Sequence, residues 1–249
     1  MRYTTPVLLS ILFIGISSSH AQSEPQLQRG PDGASRTLVP GIEVLPFLGL
    51  AFTGKDNIIW TRTMEGGGTI TTYLEANVVR DNWGRVFRER HNYSPANTNP
   101  QSTLTESYVL DPVAHTRTTC INATHHCSIT FYRANFSPRL QPAGPYDNGQ
   151  RFLTRESIGN KTIDDLPVIG TRETTSIAPG VVGNDQALTL TREFWYSTDL
   201  KTNLSVTRND PREGNVTIRL TILSRAEPDP SIFAIPNGFT VQDDRPSSK

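Results

Sequence analysis

Between Asn215 and Ser224, Val216, Ile218, Leu220 and Ile222 alternate with Thr217, Arg219 and Thr221. A two-residue period puts all the apolar side chains on one face of an extended chain, so the segment reads as a half-buried strand. The preceding stretch carries Leu204 and Val206 in phase. The link Asn209-Asp-Pro-Arg-Glu-Gly-Asn215 supplies a proline to open a turn and a glycine for a left-handed residue. Upstream, Leu188, Leu190, Phe194 and Tyr196 share a face that Arg192 interrupts, and Trp195 points the other way.

The same grammar fills the rest of the chain. Ile58 to Met64 and Thr69 to Val79 are β-rich and meet at Glu65-Gly-Gly-Gly68, a hairpin turn. Arg80-Asp-Asn-Trp-Gly-Arg85 turns into Val86 to Arg90, and Asp111-Pro112 separates Leu104–Leu110 from Thr118–Ile121. Phe152 to Ser157 and Thr171 to Ile177 continue the pattern around the turn at Asp164-Asp165. This makes about ten strands with turns every eight to twelve residues or so, and no amphipathic helix. Short turns join only antiparallel neighbours, and so long a sheet cannot stay flat. The expectation is an all-β fold, an antiparallel meander forming a strongly curved sheet or open half-barrel. One helical turn is expected at Asp229-Pro230-Ser231, carrying Ile232 and Phe233 to the sheet as an apolar plug.

The ends differ from the middle. Arg2, the apolar run Val7 to Ile16 and the small residues of Ser19-His20-Ala21 have the layout of a secretory signal. Cleavage is expected between Ala21 and Gln22, which leaves 228 of the 249 residues. The run is too short to span a bilayer, so the mature chain is expected to be soluble and periplasmic or secreted, not membrane-spanning. Residues 22–42 are a polar, flexible lead-in, 43–242 a single β domain and 243–249 a loose tail. The irregular stretch 134–150, with Pro138, Pro142 and Pro145, is a candidate divide between two lobes.

Basic and acidic residues balance at 24 each, which excludes the basic face that nucleic acid demands and a polybasic membrane anchor. Only four of the 24 basic residues are lysines (Lys55, Lys161, Lys201, Lys249), so 20 are arginines. Arginine binds carboxylate or phosphate bidentately, and these arginines are spread over the whole chain.

The two cysteines, Cys120 and Cys127, frame a six-residue loop, and behind a signal segment they read as a disulfide closing a β-hairpin. The alternative is a metal site completed by His125 and His126, the cheapest route to an enzyme here. Otherwise catalytic chemistry is thin. No Gly-x-Ser-x-Gly occurs, and Asp164-Asp165 and Asp243-Asp244 are adjacent pairs whose side chains diverge on a strand. No cofactor is expected. The candidate ligand-binding residues are the aromatics Trp60, Phe194, Trp195 and Tyr196, whose rings offer broad apolar surface and, for Trp and Tyr, one polar atom.

Four stretches together carry a family resemblance: Arg80-Asp-x-x-Gly-Arg85 with Arg88-Glu89; Tyr108-Val-Leu-Asp-Pro112; Gly170-Thr-Arg172 with Pro179-Gly180 and Gly183-Asn-Asp185; and Glu193-x-Trp-Tyr-Ser197 through Asp210-Pro-Arg212 to Glu227-Pro-Asp-Pro-Ser-Ile-Phe233. They resemble secreted soil-bacterial proteins of unknown function, over residues 50 to 242. The tail is also similar to the end of periplasmic lipoprotein-carrier proteins, although no clear helices are present here to line the mouth of a half-barrel. That resemblance implies a half-open barrel sheltering acyl chains. The expected function is non-enzymatic binding of an apolar small molecule, a lipid or acyl chain, or of an envelope protein. A structural or interaction module of the envelope and a metal-dependent enzyme are the alternatives.

Overall fold

A computed structural model describes residues 41–95, 103–133 and 141–245. The expected signal segment, its Ala21/Gln22 cut and the lead-in as far as residue 40 lie outside these residues. The strands are β1 (Phe52–Thr63), β2 (Thr69–Arg80), β3 (Val86–His91), β4 (Ser94–Pro95), β5 (Leu104–Asp111), β6 (Thr116–Ile121) and β7 (His126–Phe131). After them come β8 (Gly144–Tyr146), β9 (Arg151–Ile163), β10 (Leu166–Ile177), β11 (Leu188–Ser197), β12 (Thr202–Asp210), β13 (Gly214–Ser224) and β14 (Thr240–Asp243). Two short 3-10 turns, Asn122–Thr124 and Pro230–Phe233, are the only helical elements among the described residues.

The chain is all-β, and its strands form one curved, unclosed sheet of fourteen. The order is β14-β7-β6-β5-β3-β2-β1-β13-β12-β11-β10-β9-β8, with β4 on β2. The meander runs in two arms that meet at the centre of the sheet. β1 to β7 step outward to one flank; the chain then reappears as β8 on the opposite flank and steps back until β13 pairs with β1 at the centre. Short-turn logic finds neighbours in sequence and is blind to such a long-range pair. Among the described residues β14 adds the one parallel pairing, beside β7, and all other pairs are antiparallel. Of the expected divide at 134–150, residues 134–140 lie outside the described residues; β7 before it and β8, at Gly144–Tyr146 within it, stand on opposite flanks of the same sheet.

Register aligns the core. Phe194, Val206, Ile218, Ile58 and Leu74 stand in one row across β11, β12, β13, β1 and β2. Ile218 and Ile58 are almost wholly buried, as are Leu204 and Leu220 in the next row. Each such side chain contributes about 1.5–3 kcal/mol on burial. Gly214 begins β13 at φ +92°, and a Cβ there would fall 2.2 Å from the Thr61 carbonyl oxygen. Asp164 and Asp165 both have positive φ (49° and 59°), the geometry of a two-residue hairpin turn.

The segment before β1 packs on this same face. Ile42 and Val44 are buried, and the Ile42 N–H donates to Asp56 Oδ2 at 3.2 Å. Arg88 donates to both the Ile42 carbonyl and Asp56 Oδ2. Burial pushes the Asp56 carboxyl up from its ordinary range, against the pull of Arg88. Arg80, wholly buried, donates to the carbonyls of Leu50 (2.8 Å), Leu45 (2.9 Å) and Leu200 (2.6 Å). It therefore ties β2 to the leading segment and to the turn between β11 and β12.

Candidate functional site

The opposite face of β3, β5 and β6 is built differently. Phe87, Val109 and Thr118 form one row across these three strands, and Ser107 and Cys120 stand opposite each other in the next. None of β5 is fully buried, and among the described residues no second sheet covers this face. A strap, residues 225–239, crosses it instead. Glu227 Oε2 accepts from the Asn82 N–H (3.0 Å), and Pro228 is buried. Asp229 caps the 3-10 turn by accepting from the Ser231 N–H at 2.9 Å, with Pro230 at its first position. The Arg85 guanidinium lies 4.4 Å over the Phe233 ring. At the far end the Phe239 ring meets His125 edge-on at 5.1 Å, and β14 then pairs with β7.

Between strap and sheet lies a cavity of about 400 Å³. Phe87, Leu104, Val109 and Cys120 contribute on the sheet side, and Ile232, Phe233, Ile235 and Pro236 on the strap side. Its polar side chains are the neutral ones of Ser107, Thr118, Ser231 and Asn237; Tyr108, between Ser107 and Val109 and opposite Arg88, turns its ring to the other face. No lining residue carries a carboxylate, imidazole, amine or guanidinium. Volume and lining fall within the usual range for a small apolar ligand, roughly 300–1,000 Å³.

The expected disulfide is present: Cys120 and Cys127 are bonded, directly opposite in the β6–β7 register, with the Asn122–Thr124 turn and a left-handed His125 closing the loop. In that state neither sulfur is a thiolate ligand. His125 packs on Phe239, and His126 Nδ1 hydrogen-bonds with Thr240 Oγ1 at 3.0 Å. Both histidines thus hold the strap's end. Among the described residues no three His, Cys, Asp or Glu side chains form a metal-sized group.

The four candidate aromatics are not brought together, and none lines the cavity. Phe194 and Trp60 lie in adjacent rows of the face that carries Asp56; Tyr196, 39% exposed, shares the face of Phe194. Trp60 Nε1 donates to the Glu213 carbonyl at 2.7 Å, and its ring meets Tyr93 edge-on. Trp195 points the other way, against Gly170, with Lys161 Nζ 3.6 Å over its ring. Ile232 and Phe233 do reach the sheet, half-buried, yet they roof a cavity instead of filling it. Phe87, Leu104 and Val109 escape sequence reasoning, since each is an ordinary apolar residue of a short strand. Their role appears only when the strap is laid over them.

No family model matches the chain, and no curated protein matches it. Among solved structures it is similar to an uncharacterized conserved protein from Thermus thermophilus, with 10% identity, a TM-score of 0.41 and coverage of 77% of this chain and 90% of that one. It is similar also to a LolA superfamily protein from Nitrosomonas europaea (10% identity, TM-score 0.26, 76% and 92% covered). A third is a putative outer membrane lipoprotein-sorting protein domain from Vibrio parahaemolyticus (5% identity, TM-score 0.27, 73% and 88% covered).

Proposed function

We propose that this protein is an exported, non-enzymatic binder that holds an apolar ligand, a lipid or acyl chain, beneath the strap of residues 225–239. The observation that carries the reading is the cavity itself: about 400 Å³, bounded largely by apolar side chains and free of acid–base groups. A binding site needs apolar surface and a few fixed polar groups; for hydrolytic or transfer chemistry the hydroxyls of Ser107, Thr118 and Ser231 would need an activating base that this lining does not supply. The Cys120–Cys127 disulfide and the signal-like first 21 residues support an oxidising, extracytoplasmic compartment.

Native mass spectrometry of gently purified protein, with displacement of a fluorescent, uncharged fatty-acid methyl ester, tests this. A bound lipid and saturable displacement are expected, and Val109→Trp, which fills the cavity, should abolish the displacement without lowering the melting temperature. Absence of ligand and of displacement in the wild type sinks the reading.

A second reading has one specific observation behind it. Leu48 and Trp83, 67% and 66% exposed, stand on loops joined by the Gly49 N–H to the Asn82 carbonyl (2.9 Å). Such a pair suits docking on an envelope protein. Capture of a partner from envelope extracts that is lost in a Leu48→Ser/Trp83→Ser double variant would favour it.

A further inference from the structure

On the face opposite the cavity, Arg192 of β11 and Arg208 of β12 stand directly opposite each other in register. Like charges at such a position repel across a gap of about 5 Å between Cβ atoms. Arg192 is partly neutralised: its Nη2 donates to Glu173 Oε2 at 2.9 Å. Glu173, itself buried, is also held by Arg155 through Oε1, so both its oxygens are engaged. Arg208 has no such partner. Its Nε is buried without an acceptor, and no ion pair engages it among the described residues. Burial and the charge of Arg192 push its pKa down, and Glu213 supplies only a longer-range attraction. A guanidinium left in this state lacks the hydrogen bonds that normally offset its burial. Beside the pair runs an apolar stripe that is half-buried and open to contact: Leu188, Leu190 and Phe194, on the same face of β11 as Arg192.

We propose that Arg192 and Arg208 form a fork for the carboxylate or phosphate of an anionic amphiphile, whose apolar tail lies along Leu190 and Phe194. The planar guanidinium matches either oxyanion bidentately, and a bridging anion turns the cross-strand repulsion into attraction on both sides. The site lies on the other face from the cavity and does not depend on it.

Titration calorimetry on the whole protein with decanoate, methyl decanoate and inorganic phosphate tests the proposal. It is run in the wild type and in the Val109→Trp background, which removes the cavity. Decanoate should bind in both; in the Val109→Trp background it should bind about tenfold or more tighter than methyl decanoate, and Arg208→Gln should weaken it there by about the same factor. Arg208→Lys keeps the charge but not the fork, and should fall between. In the Val109→Trp background, decanoate should raise the melting temperature, and adding Arg208→Gln should remove that rise. In the Val109→Trp background, equal binding of acid and ester, or decanoate affinity unchanged by Arg208→Gln and Arg208→Lys, overturns the fork and leaves the cavity reading intact. Phosphate binding as tight as decanoate overturns the amphiphile, since the tail would then contribute nothing.

Discussion

Arg80→Met removes the largest single polar commitment in the described structure. The wild-type side chain is fully buried and donates three hydrogen bonds to backbone carbonyls, at Leu45, Leu50 and Leu200. Burial pulls its pKa down to about 10, which leaves it charged at neutral pH. Bonds from a charged donor contribute about 1.5–3 kcal/mol each, so three amount to roughly 4.5–9 kcal/mol gross. Methionine fills much of the same volume, gives up the guanidinium's place 5.1 Å over the Phe52 ring, and no longer carries a desolvated charge, which returns several kcal/mol. It leaves the Leu200 oxygen, the most deeply buried of the three acceptors, without its donor. The net cost should be about 3–5 kcal/mol. Arg80→Lys retains the charge and reaches one carbonyl, so about half that loss is expected. Urea unfolding followed by two independent probes gives the numbers, and hydrogen exchange over residues 42–50 should show the leading segment released first. An Arg80→Met variant within about 1 kcal/mol of wild type, or a lysine variant as damaged as the methionine one, would refute this account.

Three further outcomes are expected. Replacing Cys120 and Cys127 by serine should cost about 2–3 kcal/mol in urea unfolding, and should make stability insensitive to added reductant. Gly170→Ala puts a Cβ 2.6 Å from both the Trp195 ring and Ile158 Cγ1, so it should cost about 1–3 kcal/mol. Trp195→Leu should relieve most of that penalty in a double-mutant cycle. Burial pushes the Tyr93 phenol up to about 12. The unfolded chain therefore loses this proton near pH 10 while the folded one keeps it, and stability should fall as pH rises from 10 to 12. Tyr93→Phe should flatten that fall in unfolding curves taken across the window.

Much of the fold is legible in local pattern. The alternation in β13, the Asp164-Asp165 turn, the Cys120–Cys127 hairpin and the Asp229 cap all depend on residues within a few positions of one another. The cavity is not legible that way. Phe87, Val109 and Ile232 come from segments up to about 150 positions apart, and nothing in their own neighbourhoods distinguishes them from other half-buried residues. The aromatics that do stand out in sequence, Trp60 and Trp195, turn out to be engaged by Glu213 and Lys161 on different faces. Sequence prominence measured side-chain size, and the site is set by what the strap happens to cross.

By itself, then, the sequence determined that this chain is built of half-buried strands, where most of them turn, and that its cysteines can close a short loop. Each of these follows from steric and hydrogen-bonding preferences spanning a handful of residues. Tertiary structure alone decided that β13 returns to lie against β1, that β14 runs parallel to β7, and that two arginines face each other across β11 and β12. Those pairings are chosen by the burial of whole faces against one another, a free energy summed over many strands and carried by no single stretch of chain.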